Sequence, residues 1–327
     1  MIIYTHVTGC YVLDEKGVLK EKKEFSPEDA LHYSDKLDNG EWINIEKDLI
    51  KKYPGSLFIG FKKEKLPECK TTQDPKKIEF VSKLISFEKT RELNTVITKR
   101  KIRESVQNDN LIIQAVNHID EITKAANMLV KRLREWYELY NPEFSKSVSS
   151  HEKFVEIIQA KTKEQLLKEL NIDPKLSMGA DLKTENLKPI TDLARQLQSM
   201  HQLKEEQARY LEKLAKQTIP NITAITGALL GARLLAIAGS LEHLAELPSS
   251  TIQLLGAEKA LFRHIRSGSK APKHGILVEH PLVAGSENKG KAARMLANKI
   301  SIAAKVDLYK GEFIGDKLKQ DLEKRLK

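Results

Sequence analysis

Between residues 112 and 140 the apolar side chains recur at steps that alternate strictly between three and four: Ile112, Ala115, Ile119, Ile122, Ala126, Leu129, Leu133, Trp136 and Tyr140. That is a heptad repeat, the mark of a coiled-coil seam. Asn141-Pro142 stops the helix, because proline disfavours a helical residue before it. After a linker the pattern restarts at Ile190, Leu193, Leu197 and Met200, then shifts phase to Leu203, Gln207, Tyr210 and Leu214. The phase shift is a stammer and predicts a less regular second helix. Two long helices joined by a linker predict an antiparallel hairpin, and a seam of this length can also serve a second copy of the chain.

The flanks obey other patterns. IIYTHVTGCYVL and VLKEKKEF read as two strands about the turn Asp14-Glu15-Lys16-Gly17. Ser26-Pro27-Glu28-Asp29 is a helix start, with serine capping and proline at the first position. SLFIGF, residues 56–61, is a short β-like run, and Pro67 and Pro75 punctuate the stretch after it; from about Pro75 the pattern turns helical. Thr218-Ile219-Pro220-Asn221 ends the coil, with Asn221 placed to cap the next helix. From there to about residue 312 the chain reads as compact and helical, and DKLKQDLEKRLK as a short charged helix or frayed tail. The predicted fold is mainly α: a small α/β N-terminal domain with a connecting helix (1–105), a long antiparallel coiled coil (106–219), a compact helical C-terminal domain (220–312) and a charged tail (313–327).

Residues 224–241, AITGALLGARLLAIAGSL, are apolar enough to raise a membrane span, but the run is short and carries Arg233 midway. A buried, tightly packed helix is the expectation, with Gly227 and Gly231 admitting a close neighbour. Hydrophobic residues are 40% of the chain and charged residues 31%, the composition of a folding, soluble protein. Cys10 and Cys69 belong to no CxxC or Cys/His cluster, so neither a disulfide framework nor a zinc site is expected. The N-terminus, MIIYTHVTGC, lacks the basic and apolar regions of a signal peptide.

The formal charge of +10 favours polyanions, because neutralising phosphates releases their counterions. Residues 247–306 hold much of the excess: Lys259, Arg263, Arg266, Lys270, Lys273, Lys289, Lys291, Arg294, Lys299 and Lys305 stand against Glu258, Glu279 and Glu287 alone. Lys259, Arg263 and Arg266 fall at helical spacings on one face, and Lys291 and Arg294 lie three apart at a second helix start, whose free N–H groups also favour phosphate. The pattern is that of a phosphate-binding surface.

The runs LPSSTIQLL, GAEKALFR and NKGKAARMLANKISIAAKVD, within residues 247–307, resemble the Nop domain of C/D-box ribonucleoprotein core proteins. The order of domains resembles that family more loosely over the whole chain. The resemblance implies a composite surface that binds a kink-turn RNA together with the small protein already on it. It carries Gly256, Ala257, Glu258, Lys259, Ala260, Leu261, Phe262 and Arg263 into that contact, Lys289, Lys291 and Arg294 onto RNA phosphates, and His280 near unpaired bases. It further implies that the N-terminal domain holds the methyltransferase fibrillarin with its S-adenosylmethionine, that the coil pairs two copies, and that this chain needs no cofactor of its own. The chain stops soon after the Nop domain, without a Lys/Glu/Asp-rich tail. That resembles the archaeal form and implies the cytoplasm, where a eukaryotic member would be nucleolar.

Three other readings compete. Gly285 to Lys291 fits the start of a G-x-x-x-x-G-K phosphate loop, but Ala292 replaces the Ser or Thr that would hold Mg²⁺, and too little chain remains beyond it for an NTPase sheet. No HExxH, G-x-S-x-G or G-x-G-x-x-G is present, the nine histidines are scattered, and no acid pair stands out, so a non-enzyme is expected. A coiled-coil adaptor binding proteins only would explain the seam but not the basic domain, and a spliceosomal relative would lack the α/β domain that docks fibrillarin. Steep salt dependence of RNA binding separates the protein-only adaptor from the RNA reading.

Overall fold

The computed structural model describes residues 1–74, 78, 81 and 83–326. Pro75 lies outside them. The chain divides into two compact units, residues 1–106 and 107–327.

In the first unit, strands β1 (Ile2–His6), β2 (Gly9–Leu13), β3 (Leu19–Glu24), β4 (Ser56–Ile59) and β5 (Cys69–Thr72) form one sheet in the order β3-β2-β1-β4-β5. β1 pairs antiparallel with β2 and parallel with β4. The run expected as one strand is therefore two. The chain reverses at Val7-Thr8, and Gly9, at φ +145°, passes so close to β3 that a Cβ would lie 2.2 Å from Lys23 O. β5 has no counterpart among the predicted strands; its short polar run, CKTT, carries no alternation. Every residue of β2 is buried, with Cys10 and Val12 in one apolar cluster and Tyr11 and Leu13 in another. Helix α1 (Pro27–Asp38) begins as expected, with Ser26 and Asp29 forming a capping box. Helix α2 (Asn44–Lys52) covers the sheet, and α3 (Phe87–Ser105) packs Leu93 and Ile97 on Ala30. A buried ion pair ties Lys62 Nζ to Glu46 Oε2 at 2.6 Å, between the rings of Trp42 and Phe58.

The second unit is built on a hairpin of α4 (Asn108–Glu138) and, beyond the segment that joins them, α8 (Thr184–Thr218). Ile112 to Ile119 pack with Leu211, Leu214 and Ala215, and Ala126 to Tyr137 with Ile190, Ala194 and Leu197, so the two helices run antiparallel. The strict heptad fails in its second half. Beyond Ala126 the buried positions are Val130, Leu133 and Tyr137, while Trp136 is exposed and Leu129 and Tyr140 are only partly covered. The buried stripe advances by about 3.6 residues per turn, the pitch of a straight helix rather than a supercoiled one.

The expected linker between them is folded. Helices α5 (Pro142–Ser147), α6 (His151–Ala160) and α7 (Lys163–Glu169) pack Phe144, Phe154 and Leu166 against Tyr137 and Leu133. Arg134 lies 4.3 Å over the Phe154 ring and donates to the carbonyls of Ser145 and Val148 at 2.8 and 2.7 Å.

The remaining elements are α9 (Pro220–Thr226), α10 (Ala228–Ala238), α11 (Leu241–Glu246), α12 (Ser249–Leu254), α13 (Glu258–Ser267), a 3-10 turn (Ile276–Glu279), α14 (Pro281–Ala284), α15 (Lys289–Leu308) and α16 (Gly315–Leu326). The run expected as one buried helix is two, α9 and α10, bent by 118° at Gly227, and among the described residues no single helix is long and apolar enough to cross a membrane. Gly227 serves that bend at φ +78° and meets nothing a Cβ would strike, whereas Gly231 is the close approach, where a Cβ would lie 3.0 Å from Thr226 Oγ1.

α15 is the axis of the domain. Ala292, Ala293, Ala297, Ala303 and Ala304 are fully buried on it, small enough for α9, α11 and α12 to approach. The cap of α9 is not Asn221. Asp307, at the end of α15, accepts from the N–H groups of Asn221 and Ile222 at 3.0 Å each and from Asn221 Nδ2 at 2.7 Å, while Asn221 Oδ1 accepts from Ile314 N–H. The segment expected as a charged tail is also structural: α16 buries Leu322 completely and its Asp321 pairs with Lys299.

Candidate nucleic-acid interface

The residues singled out between 256 and 294 fall on three segments that converge beside α12. Gly256, exposed and at φ +83°, turns the chain from α12 into α13, and its N–H donates to Glu258 Oε1 at 2.6 Å. A side chain there would be strained by the backbone and would press on Ile276, 3.2 Å away. The loop after α13 then runs back along α12: Gly275 N–H donates to Gln253 O at 2.9 Å and Ile276 N–H to Leu255 O at 2.7 Å. Gly275 is obligatory, since a Cβ would lie 1.9 Å from Leu255 O. Gln253 Nε2 donates to Lys273 O at 2.6 Å, and the Lys273 side chain lies over Gly290 in the first turn of α15. Asn288 caps that helix by accepting from Lys291 N–H at 3.0 Å.

α13 buries none of its residues. Leu261 is half-buried, and Phe262 and Ile265 are 65% and 74% exposed. Beside this apolar edge the same helix presents Lys259, Arg263 and Arg266, all exposed, while Ala257 and Ala260 leave the helix start slim. Lys289, Lys291 and Arg294 are exposed on the opening turns of α15, where unpaired N–H groups add to the positive field. Among the described residues Lys259, Arg263, Arg266, Lys270, Lys273, Lys289, Lys291 and Arg294 make no ion pair, although the flanking cations Arg233 and Lys299 both do. Eight cations without an ion pair on adjoining segments are free to take phosphates, whose neutralisation releases counterions.

His280 does not belong to this surface. It is 7% exposed, its Nε2 lies 3.0 Å from Ile225 O, and its Nδ1 accepts from Leu282 N–H at the start of α14. Burial holds its pKa below the ordinary histidine value, so the ring is a neutral internal cap and is not presented to unpaired bases. The phosphate-loop decoy also dissolves. A phosphate loop follows a strand, but the segment before Gly285 holds the 3-10 turn Ile276–Glu279 and the short α14, and the second unit has no strand among the described residues. Among the described residues no cluster of three or more His, Cys, Asp or Glu is placed to hold a metal ion. Sequence reasoning missed Gln253, whose amide joins Lys273 to the α15 start; a glutamine in an apolar run, LPSSTIQLL, is the signal that could have found it.

Comparison with known proteins matches residues 118–327 to the family described as "Nop: snoRNA binding domain, fibrillarin". An uncharacterized NOP5 family protein of Methanocaldococcus jannaschii is 43% identical over 250 residues, 71% of this chain and 60% of that protein. Nucleolar protein 58 of Schizosaccharomyces pombe is 36% identical over 253 residues, 70% of this chain and 50% of that protein. The match thus spans about half to three-fifths of the length of these relatives. A chain from the crystal structure of a fibrillarin/Nop5p complex covers 99% of this chain and 98% of its own at 22% identity and a TM-score of 0.44.

Proposed function

The chain belongs to the family of proteins that carry the Nop snoRNA-binding domain, and on that premise we propose that it is the non-catalytic scaffold of a C/D-box guide ribonucleoprotein. The observation that carries the reading is the double character of the 256–294 surface: eight unpaired cations for phosphate beside an amphipathic helix with nothing buried on it. RNA alone would satisfy the first and leave Phe262 and Ile265 wet. A small protein already seated on a kink-turn RNA would satisfy both, so binding to RNA alone is weak and binding to the preformed complex strong. The phosphate contacts position the chain, while shape and unpaired bases specify the RNA.

The first unit, on this proposal, brings fibrillarin with its S-adenosylmethionine to the guide–target duplex, and this chain supplies no reacting group. The coil pairs two copies; exposed Met128 and Trp136 on α4, Leu139 just after it, and Leu203 and Tyr210 on α8 are apolar area left for that contact. The similarity to the archaeal NOP5 family protein supports an archaeal particle working in the cytoplasm.

A gel shift with a C/D-box kink-turn RNA, with and without the kink-turn-binding protein and at two salt concentrations, tests the reading. A supershift that requires the small protein and fades with salt supports it. No supershift at either salt, with the chain folded, leaves a coiled-coil adaptor that binds proteins only.

A further inference from the structure

Arg233 is the lone charge in the apolar run 224–241, and it bridges two elements outside its own helix. On one side both ends of its guanidinium fork bond the Asp120 carboxylate on coil helix α4, with Nε donating to Oδ2 at 3.1 Å. On the other, Nη1 donates to Glu279 Oε2 at 2.6 Å. Glu279 ends the 3-10 turn that Ile276 begins, and Ile276 is the residue that hydrogen-bonds Leu255 O and abuts Gly256. The bend that opens α13 therefore rests on a segment whose far end is tied, through Arg233, to the coil. A groove of about 370 Å³, floored by Ala236, Ile237 and Ile276, runs beside the bridge, so apolar packing alone does not close this junction. A planar five-donor guanidinium is suited to hold two carboxylates in fixed geometry, which a lysine could not.

We propose that Arg233 is a positioning residue for the 256–294 surface: by clamping the Ile276–Glu279 turn to the coil it fixes the Gly256 bend, and with it α13, in register with α4. Coil orientation and the RNA–protein contact are then set together. The binding half of this inference rests on the reading of that surface given above; the structural half does not.

Two measurements test it on the full chain. In hydrogen–deuterium exchange, Arg233→Met speeds exchange at the amides of Ile276 and Ala257, while the amides in the middle of α15 stay protected. Unchanged protection at Ile276 and Ala257 overturns the proposal. In the gel shift, Glu279→Gln, at a half-exposed position that leaves the Asp120 pair intact, weakens the partner-dependent complex about three- to tenfold, the scale of coupling carried by such a network. The slope of affinity against salt stays that of the wild type, because no phosphate contact is lost. Arg233→Lys, which keeps the charge but not the fork, gives the same loss. A flattened salt slope, or full affinity in both variants, overturns the positioning role. Should the wild-type chain give no partner-dependent shift, the reading of the surface fails, and the exchange experiment still decides whether the bridge holds the bend.

Discussion

Replacing Asp307 by alanine should be the most damaging single side-chain truncation among the polar groups of the second unit. Its carboxylate is 7% exposed and receives three donors: two backbone N–H groups at the start of α9 and the Asn221 amide. Truncation leaves those donors facing a cavity. Each buried donor left unmet costs roughly 1–3 kcal/mol, and a lost helix cap about 1 kcal/mol. The sum overstates the effect, because burial itself pushes the Asp307 pKa up against the pull of the donors, so the ionised carboxylate already bears a desolvation cost. A water entering the cavity also recovers part of the loss. The expected destabilisation of Asp307→Ala is therefore about 2–4 kcal/mol, and of Asp307→Asn about half of that, since the amide keeps one acceptor for two donors and opposes the third. Urea unfolding followed by far-UV circular dichroism reads the second unit, which holds the longest helices. A fall in midpoint without a change in slope is the expected signature. A loss under about 1 kcal/mol for the alanine variant, or equal losses for both, would refute the capping argument.

Four further outcomes are expected on the same physical grounds. Arg263→Ala and Lys291→Ala should each flatten the dependence of complex affinity on salt by about 0.7–0.9 in the logarithmic slope, and unchanged slopes would remove both residues from the phosphate contact. Burial drives the Cys10 thiol up to about 12 and raises that of Cys69, so neither should react with a disulfide reagent at pH 8 until the first unit unfolds, and rapid labelling of the native chain would contradict their burial. Because burial lowers the His280 pKa below 6.5, the unfolded chain binds more protons there. Stability of the second unit is then full above about pH 6.5 and declines as pH falls below it, and His280→Asn should remove that part of the slope in acid titrations of unfolding. Gly275→Ala should cost well over the roughly 1 kcal/mol expected for Gly227→Ala, as a Cβ at 275 meets the Leu255 carbonyl at 1.9 Å while one at 227 meets open space; equal thermal midpoints would be the contrary result.

What the sequence made legible was periodicity and local chemistry. The two coil helices, the α/β character of the first unit, the Ser26 cap and the helix starts at 258 and 289 all arise from signals within a few residues of one another. What it hid depends on tertiary neighbours. A three-four alternation from Ile112 to Tyr140 fits a 3.5-residue period, but α4 packs on α8 and on the folded helices of the connecting segment, and those partners pick Val130 and Tyr137 in place of Leu129 and Trp136. Asp307 caps a helix 86 residues earlier in the chain, a relation no local pattern records. His280 shows the converse error: a residue placed on the RNA surface by resemblance alone is held inside by Ile225 and Leu282.

The two halves of the candidate surface argue for each other. Eight exposed cations on adjoining segments make no ion pair among the described residues, while an amphipathic helix with Phe262 and Ile265 in water forgoes the burial that stabilises helices elsewhere in the unit. Stability does not require either feature: Lys299 has its Asp321, Arg233 its Asp120 and Glu279, and α15 buries Leu296, Ile300 and its row of alanines. Nor do the two point to separate ligands, since Gln253, Lys273 and Gly290 join the α13 approach to the α15 start within one hydrogen-bonded junction. A pure polyanion would be served by the cations alone, and a pure protein partner would gain nothing from leaving them bare. On the proposed function, a surface that keeps both exposed side by side suits a ligand that is itself composite, RNA and protein presented together, and that is the physical reason for expecting the assembly to depend on both.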